Sequence, residues 1–147
     1  MSVASLEKQL LALRPLDEDD VESFEDLIAE LCEVGSLDAA VVLLRQLDDS
    51  CPLEGVMQTA ATSVGQLDPN VLVPAFVQEL PGLGARASQA SRDVIRCILR
   101  NDTARAALAG SAAALGGDAK DPLRELLNKV GRFSRWEAWS KEVLAVL

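Results

Sequence analysis

The chain has 147 residues, enough to bury one ordinary core without metal or disulfide support. About half of them are apolar, mostly Ala, Leu and Val, with no Tyr and no His, which favours helix and removes the commonest general base and metal ligand. The net charge of −9 weighs against nucleic acid or an anionic membrane as partner and in favour of a basic protein.

Taken in order, the segments read as helices. Leu6, Leu10 and Leu13 share one helical face, and Pro15 ends that segment. Asp17 has the form of an N-cap, followed by acids where a helix dipole favours them. Val21, Phe24, Leu27, Ile28, Leu31 and Val34 form a three-and-four stripe, and Gly35 supplies a left-handed stop. Ser36 caps the next helix, with Leu37, Ala40, Val41, Leu44 and Leu47 on its core face. Val42 and Leu43 make it apolar nearly all round, as suits a helix between neighbours.

Asp48, Asp49 and Ser50 then read as a turn, and Pro52 as the first residue of a helix burying Leu53, Val56, Met57, Ala60 and Val64, stopped by Gly65. Asp68-Pro69 opens a segment with Val71, Leu72, Ala75, Phe76 and Leu80, which Pro74 should kink and Pro81, Gly82 and Gly84 should end. A long helix is predicted from Ala85 to Arg100, burying Ala87, Ala90, Val94, Ile95 and Ile98. Asp102 or Thr103 starts an Ala-rich helix ending at Gly116-Gly117. Asp121-Pro122 opens another, burying Leu123, Leu126, Leu127 and Val130 up to Gly131. Ser134 caps the last, which runs through Trp136, Trp139, Val143 and Val146.

About nine helices with short loops make a single all-α domain. Starts at Ser36, Asp68 and Asp102 are 32 and 34 residues apart. Their partners start near Pro52, Ala85 and Pro122. This period predicts antiparallel helix pairs stacked as a short α-solenoid, since each hairpin needs a neighbour to bury its face. An orthogonal helical bundle is the alternative.

The charge is unevenly spread. Residues 1–80 hold 16 acids against three bases, a net −13, whereas residues 81–147 hold seven acids against 11 bases, a net +4. Glu22, Asp26 and Glu30 are four apart and share a helical face, while Glu25 and Glu33 lie towards another side. Such density of like charge costs stability, which a basic partner would offset. The expected contact residues are Asp19, Asp20, Glu22, Asp26 and Glu30, with the turn acids Asp48, Asp49 and Glu54. Arg92, Arg96 and Arg100 form a second row, read as an exposed face with local pairs such as Asp93 and Asp102. Trp136 and Trp139 read as the cap on an open end of the stack.

The sequence offers no Gly-rich phosphate loop, nucleophile elbow or metal-ligand spacing, so no enzyme, cofactor or metal is expected. Gly82-Leu83-Gly84 precedes a helix but follows no strand. Cys32, Cys51 and Cys97 are scattered and odd in number, read as reduced thiols. Met1 to Leu13 lacks a basic region followed by an apolar run, and no segment approaches the ~20 apolar residues of a membrane span, so a cytoplasmic location is expected.

Pro74 in a first helix and Ala85-Arg86 opening a second resemble HEAT-type repeats across roughly Ser36 to Arg100, although Gly82-Leu83-Gly84 stands where an acidic turn residue is usual. The whole chain resembles the small all-helical immunity proteins of bacterial polymorphic toxin and contact-dependent inhibition systems. The resemblance lies in size, acidity, the lack of catalytic residues, and the segment Val94 to Asp102 running into the Ala-rich helix. It implies an inhibitor that binds a cognate toxin, expected to be a basic nuclease, and masks its active site or substrate groove. The alternative is a solenoid adaptor or chaperone in a larger assembly.

Overall fold

Apolar residues at three-and-four spacing, good helix formers between them and polar caps at the breaks leave the chain little alternative to helix. The computed structural model describes residues 1–53 and 55–147, and Glu54, one of the expected contact acids, lies outside them. Among the described residues there are nine α-helices, one 3₁₀ turn and no strand. The helices are α1 (Val3–Ala12), α2 (Val21–Val34), α3 (Leu37–Arg45), α4 (Val56–Gly65), α5 (Pro69–Arg86), α6 (Ser88–Arg100), α7 (Asp102–Ala112), α8 (Gly117–Val130) and α9 (Ser134–Leu144). The 3₁₀ turn, Glu18–Asp20, leads into α2.

Several starts and stops have local causes. Asp17 and Asp20 form a reciprocal box, in which Asp19 N donates to Asp17 Oδ1 (2.9 Å) and Asp17 N to Asp20 Oδ2 (3.2 Å). Ser36 accepts from Ala39 N (3.1 Å) and Asp68 from Asn70 N (2.8 Å). Gly35 ends α2 at φ +61, a left-handed conformation that a side chain would strain.

Several boundaries differ from the sequence reading: α7 ends at Ala112 rather than at Gly116-Gly117, and Ser134 is the first residue of α9 instead of its cap, which is Phe133. Pro52 does not open α4, which begins at Val56 after a loop in which Asp48 holds Ser50. Pro81, Gly82 and Gly84 do not end α5. All three are exposed, while Leu80 and Leu83 on the opposite side are fully buried. Burial of that face outweighs the loss of one backbone donor and two unfavourable glycines. The break falls instead at Ala87, whose extended φ of −141° lies outside the helical range. The cap of α7 is Asn101, which accepts from Ala104 N (3.0 Å), rather than Asp102 or Thr103. α8 starts at Gly117 and runs through Pro122 instead of opening there.

The core is one continuous cluster, with Phe24, Leu31, Leu44, Phe76, Ile95 and Leu127 among its buried members. Val34, Leu37 and Val146 had been assigned to core faces but are exposed. Each lies at or beyond a helix end, where the neighbouring helix no longer covers the stripe.

Packing runs along the chain. α1 packs on α3, α3 on α5, and α5 on α7; in parallel α2 packs on α4, α4 on α6, and α6 on α8. The α3–α5 and α4–α6 contacts are the most extensive. Successive helices also touch, as in α1–α2, α2–α3, α5–α6 and α8–α9. At the far end α9 packs on α6, α7 and α8, with Trp136 and Trp139 half-buried against the core, their rings 5.5 Å apart.

Two tertiary caps lock the middle of this arrangement. The Arg86 guanidinium donates to Leu44 O (3.1 Å) and Leu47 O (3.3 Å), satisfying carbonyls at the end of α3. In return, Asp49 accepts from Gln89 N (2.9 Å) and Ala90 N (3.4 Å), capping α6, whose own N-cap residue Ala87 has no side-chain acceptor.

Candidate functional site: an acidic helix face and the groove beside it

α2 owes its position to Phe24, Ile28 and Leu31, which point into the core and force the acids between them outward. Glu22, Glu25, Asp26 and Glu33 are exposed and Glu30 is half-buried. At 3.6 residues per turn, Glu22, Asp26 and Glu33 fall opposite the buried face. In the turn before α2, Asp19 is exposed and Asp20 half-buried.

None of the nine carboxylates from Asp17 to Glu33 forms an ion pair among the described residues. The second half of the chain behaves differently. Asp93, Asp102, Asp121, Glu125, Glu137 and Glu142 are each paired with a base, and among the described residues Asp118 is the one acid of this half without such a pair. Nor do the nearby bases of the first half help. Arg14 is tied to Gln46 and stacks 5.8 Å over Phe24, and Arg45 pairs with Glu79 (2.7 Å).

The turn acids have separate duties. Asp48 accepts from Ser50 Oγ (2.7 Å) and Ser50 N (2.8 Å), and these hydrogen bonds hold its carboxyl below the usual range. Asp49 is the cap of α6. Both line a cleft at the α4–α6 edge together with Asp93, whose half-burial pushes its carboxyl up despite Arg96 at 3.8 Å. The turn acids thus line a different cleft from the α2–α4 side, although Asp48 also faces Arg14, Pro15 and Leu16, just before the acidic turn.

Between α2 and α4 runs a groove of about 470 Å³. Phe24, Ile28, Val56 and Ala60 form its floor, Glu25 and Glu33 stand on the α2 side, and Thr59, Ser63 and Gln66 on the α4 side. α4 carries no charge at all. Two of its hydroxyls donate to their own helix, Thr62 Oγ1 to Gln58 O (2.9 Å) and Ser63 Oγ to Thr59 O (3.1 Å). Sequence reasoning set Glu25 and Glu33 apart from the acidic row; the signal for the groove was the charge-free run of small residues in α4.

The basic row on α6 is locally engaged. Arg92 donates to Gln89 (2.7 Å), Arg96 lies near Asp93 and 5.8 Å from the centre of the Phe133 ring, and Arg100 lies 3.8 Å from Cys97 Sγ. Asp102, expected to pair with this row, binds Arg105 instead (2.8 Å). Cys32, Cys51 and Cys97 are free thiols, and partial burial pushes the pKa of Cys32 and Cys97 up, away from the reactive thiolate. Among the described residues no three His, Cys, Asp or Glu side chains are grouped to hold a metal, and no helix is long and apolar enough to cross a membrane.

The surface is open, flanked by carboxylates and floored by apolar atoms. No curated protein and no solved structure matches the chain. A family model does, that of Immunity protein 30, over residues 12–108. The match covers about two thirds of the sequence, from the end of α1 into α7, and includes both walls of the groove. The chain belongs to the Immunity protein 30 family, and is thus an immunity protein that neutralises the cognate toxin of its system.

Proposed function

We propose that the chain inhibits a basic toxin, a nuclease being the class that best suits so acidic an inhibitor, by laying the α2 face over the toxin's active site or substrate groove. It acts by occupancy, without catalysis or cofactor, in the cytoplasm. The observation behind this reading is the run of nine carboxylates from Asp17 to Glu33 with no ion pair among the described residues, in a molecule that pairs nearly all the acids of its second half. A nuclease must present positive charge to phosphates, and the same charge would be drawn to these carboxylates.

Asp19, Asp20, Glu22, Asp26 and Glu30 make the primary contact surface. Asp48 and Asp49, which line the cleft at the α4–α6 edge, form a second acidic zone in which Asp49 already serves as a cap, and Glu54, outside the described residues, is proposed as a contact with them. The scaffold is a short HEAT-like α-solenoid, supported by the packing of each helix on the next but one through α1–α3–α5–α7 and α2–α4–α6–α8. This reading requires the carboxylates to remain available for partner cations, which the exposure of Asp19, Glu22 and Asp26 and the partial exposure of Asp20 and Glu30 allow.

The test is a charge-neutral variant, Glu22→Gln, Asp26→Asn and Glu30→Gln together. Its binding to the purified cognate toxin domain is measured across a salt series. Association at low salt should slow by at least ~10-fold, with a weaker salt dependence, because steering acts on the on-rate and is screened beyond ~8 Å at physiological ionic strength. An on-rate and affinity equal to the parent's at low salt would sink the proposal.

A further inference from the structure

We infer that the α2–α4 groove seats one apolar side chain from a basic segment of the toxin, and that this anchor, rather than the charge around it, selects the cognate toxin. The inference rests on the α2 face being the toxin-binding side and adds to it the chemistry of the bound segment: an aromatic or long aliphatic residue flanked by Lys or Arg.

The groove has the two features that such a segment would match. Its floor of Phe24, Ile28, Val56 and Ala60 is apolar, and its volume of about 470 Å³ lies within the ~300–1,000 Å³ of clefts that hold ligands. Its α2 side carries Glu25 and Glu33, neither of which has an ion-pair partner among the described residues. The opposite side is neutral, and its Ser63 hydroxyl is satisfied within α4. A purely polar segment would leave the floor wet, and an acidic one would meet Glu25 and Glu33. An apolar residue between two cations satisfies both surfaces.

The division of labour follows from physics. The carboxylate row attracts any basic protein, because long-range steering depends little on shape. A filled pocket is short-ranged, and its contribution appears as slow dissociation. Discrimination among basic toxins therefore belongs to the groove.

Ala29 and Thr59 allow the inference to be tested, since both are exposed and stand on opposite sides of the groove. Ala29→Trp and Thr59→Trp each block the groove without touching the buried floor, and unchanged melting temperatures would verify that. The probe is the same purified toxin domain. Each variant should bind about 30-fold more weakly through faster dissociation, with the on-rate and its salt dependence retained. If both bind as the parent does while the charge-neutral α2 variant loses its salt-dependent on-rate, the groove is overturned and the acidic-face reading survives. If the α2 variant also binds as the parent does, both fail together.

Discussion

Gly65 looks like a helix stop in the sequence, but it is the last residue of α4, and its reason lies across the molecule. A Cβ there would sit 2.6 Å from both Cβ and Sγ of Cys97 on α6. The close approach of α4 and α6 needs a residue without a side chain. Gly65→Ala should therefore destabilise by about 1–3 kcal/mol through overpacking, although alanine is the better helix former. Chemical denaturation would check this, and a stabilised variant would show that the two helices can part at no cost. Asp93 presents the opposite case, a carboxylate whose folded pKa is raised by burial. Between its unfolded and folded values the native state binds more protons, so the contribution favours folding at low pH and fades as pH rises through the folded value. Asp93→Asn should accordingly be at least as stable as the parent at neutral pH. Any advantage should vanish below the carboxylate range, as measured by melting temperature against pH.

At the scale of elements, the middle of the molecule depends on groups far apart in sequence. Arg86 caps the end of α3 and Asp49 the start of α6, so the α3–α4 loop and the α5–α6 corner hold each other. Asp49→Ala should cost about 0.5–2 kcal/mol, the usual loss for an N-cap. Arg86→Ala should cost about 1–3 kcal/mol by orphaning the Leu47 carbonyl and leaving Leu44 O only its bond from Leu47 N. Amide exchange should report fraying at residues 88–91 in the first variant and at the end of α3 in the second, and uniform exchange changes would contradict these local roles. Such caps explain why some boundaries were legible in the sequence and others not. Gly35, Ser36 and Asp68 act on their immediate neighbours and could be read directly. The end of α5 could not, because burial of Leu83 outweighs the adjacent Pro81, Gly82 and Gly84, and periodicity does not weigh one against the other.

For the whole molecule, stripes such as Phe24, Ile28 and Leu31 announced an all-helical domain, and the starts of α3, α5 and α7 at Leu37, Pro69 and Asp102 are 32 and 33 residues apart, against the 32 and 34 read from the sequence. The acidic half was equally plain from composition. The groove was not, because it exists only where α2 and α4 meet, and Glu25, Glu33, Thr59 and Ser63 are unremarkable until two helices bring them together. The central claim is that the toxin sits on the α2–α4 side. Hydrogen–deuterium exchange of the chain, free and bound to its toxin domain, tests that claim most directly. The account predicts new protection across residues 18–34 and 56–67. Protection confined to α6 and α9, with α2 exchanging as it does in the free chain, would contradict it.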